Sequence, residues 1–148
     1  MPNKKSKTAS KNNFPVWVVA LVLIVLVAAA GIVIAQQANP SAVQLPAEIS
    51  VAQAAQAQKD GAFILDVREL SEWTQGHISG ATLIPLGQLP NSLSAVPKDR
   101  EVIVVCHSGN RSAQGRDILK NAGFTQVTSM AGGMTQWQAQ GLPVATGQ

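Results

Sequence analysis

The sequence predicts an α/β domain, an open and mostly parallel five-stranded sheet with helices on both faces, preceded by one transmembrane helix. Three observations carry this. An uncharged apolar run, "PVWVVALVLIVLVAAAGIVIA", fills positions 15–35. Beyond it, short runs rich in Val and Ile alternate with helix-like stretches, the pattern of a parallel sheet covered on both sides. Two of those runs, "AFILDV" and "EVIVVC", are nearly continuous in apolar residues, as strands buried on both faces must be.

The 148 residues divide into four stretches. Residues 1–14 form a basic tail carrying Lys4, Lys5, Lys7 and Lys11. The apolar run at 15–35 would span about 30 Å as a helix, enough to cross a bilayer, and it lacks the polar stripe of a core helix. Trp17 near its start suits the interfacial belt. The next positive residue after the run is Lys59, so the positive-inside bias keeps the N-terminus cytoplasmic and places the rest outside, in the periplasm or the extracellular space. Cleavage after "VIA" at Ala35 is the rival reading, but signal-peptide cores run to only about 7 to 15 residues, which favours a retained anchor. Residues 36–46, "QQANPSAVQLP", form a polar tether, and residues 47–148 suffice for one domain with its own core.

The formal charge of +3 belongs to the tail. After Ala35 there are seven basic and eight acidic residues, 7 − 8 = −1, which excludes a nucleic-acid partner of the kind that needs a basic face. The single cysteine, Cys106, excludes an intrachain disulfide and a cysteine-rich metal site. No metal and no cofactor is expected. A lone thiol in an exported domain is buried, reactive or paired with another chain.

The elements follow in order. Ser50 with Gln53 has the spacing of a capping box opening a helix, "VAQAAQAQK", that stops near Asp60 and Gly61. "AFILDV" (62–67) reads as a central strand and "ELSEWTQ" as one or two helical turns closed by Gly76. "ATLIPL" is a short strand ended by Pro85, and "GQLPNSLSAV" a weak helix. "EVIVVC" is the second strong strand, ending at Cys106. Arg111 to Ala122 reads as a helix with Ile118, Leu119 and Ala122 on one face and Gly123 just past its end. "TQVTSM" is the last strand and "GGMTQWQAQG" a short helix bounded by glycines. Trp73 and Trp137 are expected to pack against the sheet, and Lys59, Lys98 and Arg100 to be solvated.

Chemistry points to "CHSGNRS", Cys106 to Ser112. A chain that leaves a strand and enters a helix within about five residues must curl, and Gly109 and Asn110 are suited to unusual dihedrals. The curl turns the amides of His107, Ser108, Gly109, Asn110, Arg111 and Ser112 toward the sulfur, and the helix dipole and Arg111 add positive potential. These effects favour thiolate over thiol and make an anion cradle with a nucleophile at its centre. Tyrosine phosphatases place five residues between the cysteine and arginine of such a loop. Here there are four, His107 to Asn110, and a tighter ring suits a smaller guest such as a sulfur atom. Asp66, at the end of a buried strand, needs partners and is expected to find them in backbone amides. Arg68 either contacts substrate or bridges Glu69 or Glu72, and His77 is expected to be structural.

With "ILDVRELSEW", "GHISGATLIP", "VIVVCHSGNRS", "LKNAGF" and "AGGMTQWQAQGLPV" in this order, the chain from Glu48 to Val144 resembles single-domain rhodaneses, a sulfurtransferase family. The resemblance implies a Cys106 persulfide formed from thiosulfate, a persulfide or a polysulfide and discharged to a thiol or to cyanide, with His107 to Ser112 as the cradle. The runner-up is a rhodanese-fold module that carries sulfur or docks a protein without turnover. One departure stands out. Many members of that family have a second arginine directly after the cysteine, where this chain has His107. A neutral imidazole holds a dianion less strongly than a guanidinium, so donor binding is expected to strengthen as pH falls toward about 6.

Overall fold

The computed structural model describes residues 45–147. The basic tail, the apolar run at 15–35 and nearly all of the 36–46 tether lie outside the described residues. Among the described residues no helix is long and apolar enough to cross a membrane.

Five strands form one sheet in the order β1-β5-β4-β2-β3, with every neighbouring pair parallel. They are β1 (Glu48–Ile49), β2 (Phe63–Asp66), β3 (Thr82–Leu83), β4 (Val102–Val105) and β5 (Val127–Met130). The helices are α1 (Val51–Lys59), α2 (Leu70–Trp73), α3 (Asn110–Asn121) and α4 (Gly133–Ala139). The central strand β4 is buried along its whole length, which explains its unbroken run of β-branched residues.

Alternation along β4 divides the core in two. Val102 and Val104 join Leu65, Leu119 of α3 and Phe124 on one face. Ile103 and Val105 join Ala54 of α1 with Met134 and Trp137 of α4 on the other. Burying each such aliphatic side chain contributes roughly 1.5–3 kcal/mol, so the predicted two-faced layering is what holds the sheet. Trp137 is buried as expected and donates its indole N–H to the Pro143 carbonyl at 3.0 Å.

Local signals explain the helix ends. Ser50 and Gln53 form the full capping box, the Gln53 amide donating to Ser50 Oγ at 3.3 Å and the Ser50 amide to Gln53 Oε1 at 2.9 Å. Helix α3 ends at Gly123 with φ of 85°, the Phe124 amide bonding back to the Leu119 carbonyl and the Gly123 amide to that of Lys120. Two sequence expectations need correction. "GQLPNSLSAV" forms no α-helix but two 3-10 turns, Leu89–Asn91 and Leu93–Ala95, because Pro90 within the first turn lacks an N–H to continue a ladder. The fifth strand, β1, was assigned to no sequence run; at two residues it is too short to show a period, and contacts from afar fix it. The hydroxyl of Ser129 and the guanidinium of Arg116 both donate to the Ala47 carbonyl.

Topology places the candidate site. After β2 the chain moves to the β3 edge, and after β4 it moves the other way to β5. The crevice between the carboxyl ends of β2 and β4 is therefore the switch point where doubly wound sheets bind ligands. Asp66 closes one of these strands, and Cys106 follows the other.

Candidate active site

Cys106 leaves β4 and Asn110 opens α3, so the loop has three residues in which to turn. Gly109 makes the turn with φ of 113°, a value that side chains with a Cβ rarely adopt. Asn110, expected to share that burden, is an ordinary helical residue, since no non-glycine among the described residues has a positive φ. The Gly109 amide donates to Sγ at 3.1 Å. Amides of Ser108 and Ser112 also face the sulfur, so three of the six expected amides form the ring. The Ser112 hydroxyl lies 3.6 Å from Sγ and 2.7 Å from the Gly109 carbonyl, and its single proton can turn to either.

These contacts decide the ionisation of the thiol. Burial pushes its pKa up and is the largest single effect, but the Ser112 hydroxyl and the amides of Ser112, Gly109 and Ser108 together outweigh it. The net result lies below the ordinary thiol value of 9.0. Cys106 is at once polarised and buried, only 1 % exposed and packed with the Val104 and Leu119 cluster. Its apolar side faces the core while its lone pairs face amides.

A second helix holds this loop from behind, which the sequence reading missed. The Met134 amide donates to the Cys106 carbonyl at 2.8 Å and the Thr135 amide to the His107 carbonyl at 3.0 Å. Thr135 Oγ1 reinforces the latter at 2.9 Å. In a trans peptide the carbonyl and the following N–H point opposite ways. Anchoring the His107 carbonyl outward thus turns the Ser108 amide inward. So close an approach requires Gly133, where a Cβ would stand 2.3 Å from the Cys106 carbonyl oxygen. The glycine pair Gly132 and Gly133 was legible only as a helix boundary.

Both expected arginines are committed to carboxylates. Arg68 is buried and pairs with Asp66, Nε reaching Oδ2 at 2.9 Å and Nη2 reaching it at 2.6 Å, and it donates to the Gly76 carbonyl at 2.9 Å. Asp66 therefore finds its partner mainly in Arg68, although the Arg68 amide also donates to it at 3.0 Å. Arg68 makes no bridge to the Glu69 or Glu72 carboxylate; its guanidinium, paired with Asp66, lines the cleft beside the loop. Glu72 binds Arg111 instead, through two parallel contacts of 2.7 Å. This Arg111 hydrogen bond pulls the Glu72 pKa from 4.5 to about 2, so the carboxylate stays ionised. The link spans 39 residues, beyond the reach of local pattern reading.

His107 is exposed, its Nε2 3.4 Å from Thr135 Oγ1. His77 is buried, stacked on Trp73 with ring centres 3.6 Å apart, and bonded through Nδ1 to the Trp73 carbonyl, a structural place as expected. Beside the loop lies a cleft of about 210 Å³ lined by Gln75, Gly76, Met134 and Gln138 together with Arg68, Glu72 and His107. The assembly offers a polarised sulfur under a ring of amides and, next to it, a cleft that mixes the charged side chains of Arg68 and Glu72 with the amides of Gln75 and Gln138. Its chemistry is that of a soft nucleophile whose negative charge is stabilised before and after attack.

Comparison with known proteins agrees in extent. The family model of the Rhodanese-like domain matches residues 50–140. The sulfurtransferase of Allochromatium vinosum is 35% identical over 88 residues, covering 60% of this chain and 82% of that protein. Thiosulfate sulfurtransferase GlpE of Ectopseudomonas mendocina is 33% identical over 100 residues, covering 68% of this chain and 91% of its own length. Among solved structures, the rhodanese-related protein of Thermoplasma volcanium superimposes with a TM-score of 0.65 at 29% identity, covering 69% of this chain and all of that one.

Proposed function

Because the chain belongs to the rhodanese-like domain family, we propose that it is a sulfurtransferase in which Cys106 carries the sulfur. The Cys106 thiolate attacks the outer sulfur of thiosulfate, a persulfide or a polysulfide, and the S–S bond breaks with its electron pair leaving on sulfite or on a thiolate. A thiol or cyanide then takes the outer sulfur and returns the thiolate. The observation that carries this reading is the Gly109 amide 3.1 Å from Sγ, in a ring that Ser108 and Ser112 complete. Such donors stabilise the anionic persulfide as well as the thiolate.

The burial of Cys106 favours a second reading, a rhodanese-fold carrier or docking module that holds sulfur without turnover. One experiment separates them. The full chain in detergent is incubated with thiosulfate or with polysulfide and its intact mass measured, then cyanide is added. Catalysis gives one added sulfur atom that cyanide removes through repeated cycles, and Cys106→Ser gives none. An adduct that never turns over supports the carrier, and no adduct with either donor ends both sulfur readings.

For the whole chain we further propose a retained membrane anchor at 15–35, with the domain outside the cytoplasm. The charge asymmetry about the apolar run supports it. Protease digestion of intact cells or spheroplasts should remove the domain; full protection would place it inside.

A further inference from the structure

Arg111 opens the helix that follows the cysteine loop, yet its guanidinium is turned to a carboxylate. Both Nη atoms donate to Glu72, one to each oxygen, at 2.7 Å. The carboxylate is itself held in place. The Glu69 amide donates to Glu72 Oε2 at 3.1 Å, and Arg68 donates to the Glu72 carbonyl at 3.4 Å and to the Gly76 carbonyl at 2.9 Å. Helix α2 is thus fastened to the end of β2, and its one carboxylate reaches across to the first turn of α3. Hydrogen bonds to Glu72 do most to raise the Arg111 pKa, and the charge on Cys106 also raises it, so guanidinium and sulfur act on each other. The other ionisable groups near the loop are Arg68 paired with Asp66, the exposed His107, and Glu48 of β1, whose Oε1 is 3.9 Å from where a Cβ on Gly109 would sit. Helix α4 adds none, since Gly133–Ala139 carries no ionisable side chain.

Resting on the sulfur-transfer reading, we propose that Glu72 is a positioning residue that acts through Arg111. It holds the guanidinium aside in a neutral pair, so that the amides and hydroxyl of the ring ionise Cys106 and the sulfur stays a stronger nucleophile than one facing a bare cation. Two effects oppose each other here. A cation drawn to the sulfur enlarges the thiolate fraction, but the intrinsic nucleophilicity of a thiolate falls as its thiol becomes more acidic. Where the ring already ionises the thiol, further positive charge only slows attack. The ring donors are fixed by the backbone, whereas Arg111 is a long side chain, 32% exposed, that follows the nearest negative charge unless it is tied. Among the described residues, Glu72 is the only side chain its guanidinium bonds.

The test follows the rate at which iodoacetamide, an uncharged reagent, alkylates Cys106 of the full chain in uncharged detergent from about pH 4 to about pH 10. In Glu72→Gln the midpoint should fall by about half a pH unit or more and the plateau rate by about twofold, so that its curve crosses that of the wild type. Glu72→Asp keeps the charge and should keep the wild-type midpoint. In an Arg111→Gln background, Glu72→Gln should move the midpoint by about half as much or less, because no guanidinium is freed. A role in packing alone gives the opposite sign, since loosening the amide ring raises the midpoint. A midpoint in Glu72→Gln that stays or rises, or that falls equally with and without Arg111, overturns the proposal. Sulfur loading of the wild type from thiosulfate and from polysulfide is measured beside it by intact mass. Loading with an unmoved midpoint ends the proposal and leaves sulfur transfer standing. No loading from either donor ends the transfer reading, and the part of Glu72 in it, whatever the curves show.

Discussion

Helices α3 and α4 both start beside Cys106 and both follow a glycine of positive φ, Gly109 at 113° and Gly132 at 69°. They use their first amides differently. At the start of α3, the amides of Gly109 and Ser112 face the sulfur. At the start of α4, the amides of Met134 and Thr135 go to the carbonyls of Cys106 and His107. One terminus makes the anion site, and the other fixes the peptide planes that let it exist. Reading the cysteine loop alone finds only the first.

Breaking the support should therefore harm the site more than breaking the turn. In Gly133→Val a Cβ would stand 2.3 Å from the Cys106 oxygen, in a backbone of φ +55°, so α4 must withdraw. A loss of about 3 kcal/mol or more is expected from denaturant unfolding, with sulfur loading abolished; a stable, active variant would contradict the supporting role. Gly109→Ala strains a φ of 113° and should lose about 1–2 kcal/mol. Its alkylation-versus-pH curve should shift upward, because the wild-type thiol titrates below 9.0 and the amides responsible are displaced. An unshifted curve would show that these amides do not set the thiolate.

The ion pair comes next. Glu72 and Arg111 side chains are 29% and 32% exposed, so solvent reduces the pair to about 1 kcal/mol. Glu72 has a depressed pKa, and its contribution is full above 4.5 and fades as pH falls to about 2. The stability gap between wild type and Glu72→Gln should close across that interval; a gap constant from neutral pH to 2 would mean that the pair contributes nothing through its charge. The smallest effect belongs to Thr135→Val, which loses one hydroxyl contact to the His107 carbonyl but keeps the backbone amide. About 0.5–1 kcal/mol should go, with alkylation slowed less than in Gly109→Ala.

What the sequence disclosed follows from distance along the chain. The two long apolar strands, the Ser50 capping box, the Gly123 helix stop and the cysteine loop are each specified within a few residues, and each was legible. Strand β1, the Glu72–Arg111 pair and the docking of Gly133 on Cys106 depend on partners far off in sequence, and none was. Arg68 is the instructive middle case. Its partner Asp66 is two residues away, yet both side chains leave a strand end, where the backbone path decides whether they meet. The proposal of a membrane anchor at 15–35 and of its orientation rests on composition alone.

The depth of Cys106 has an outcome for the cell as well. Stepwise oxidation adds oxygen atoms to a sulfur, and each enlarges the group. A sulfur 1 % exposed, with an amide at 3.1 Å and the hydroxyl of Ser112 at 3.6 Å, is hemmed in on the sides those groups occupy. Such confinement limits peroxide to the narrow approach that the sulfur donor itself must use, where an open thiol would be met from every side.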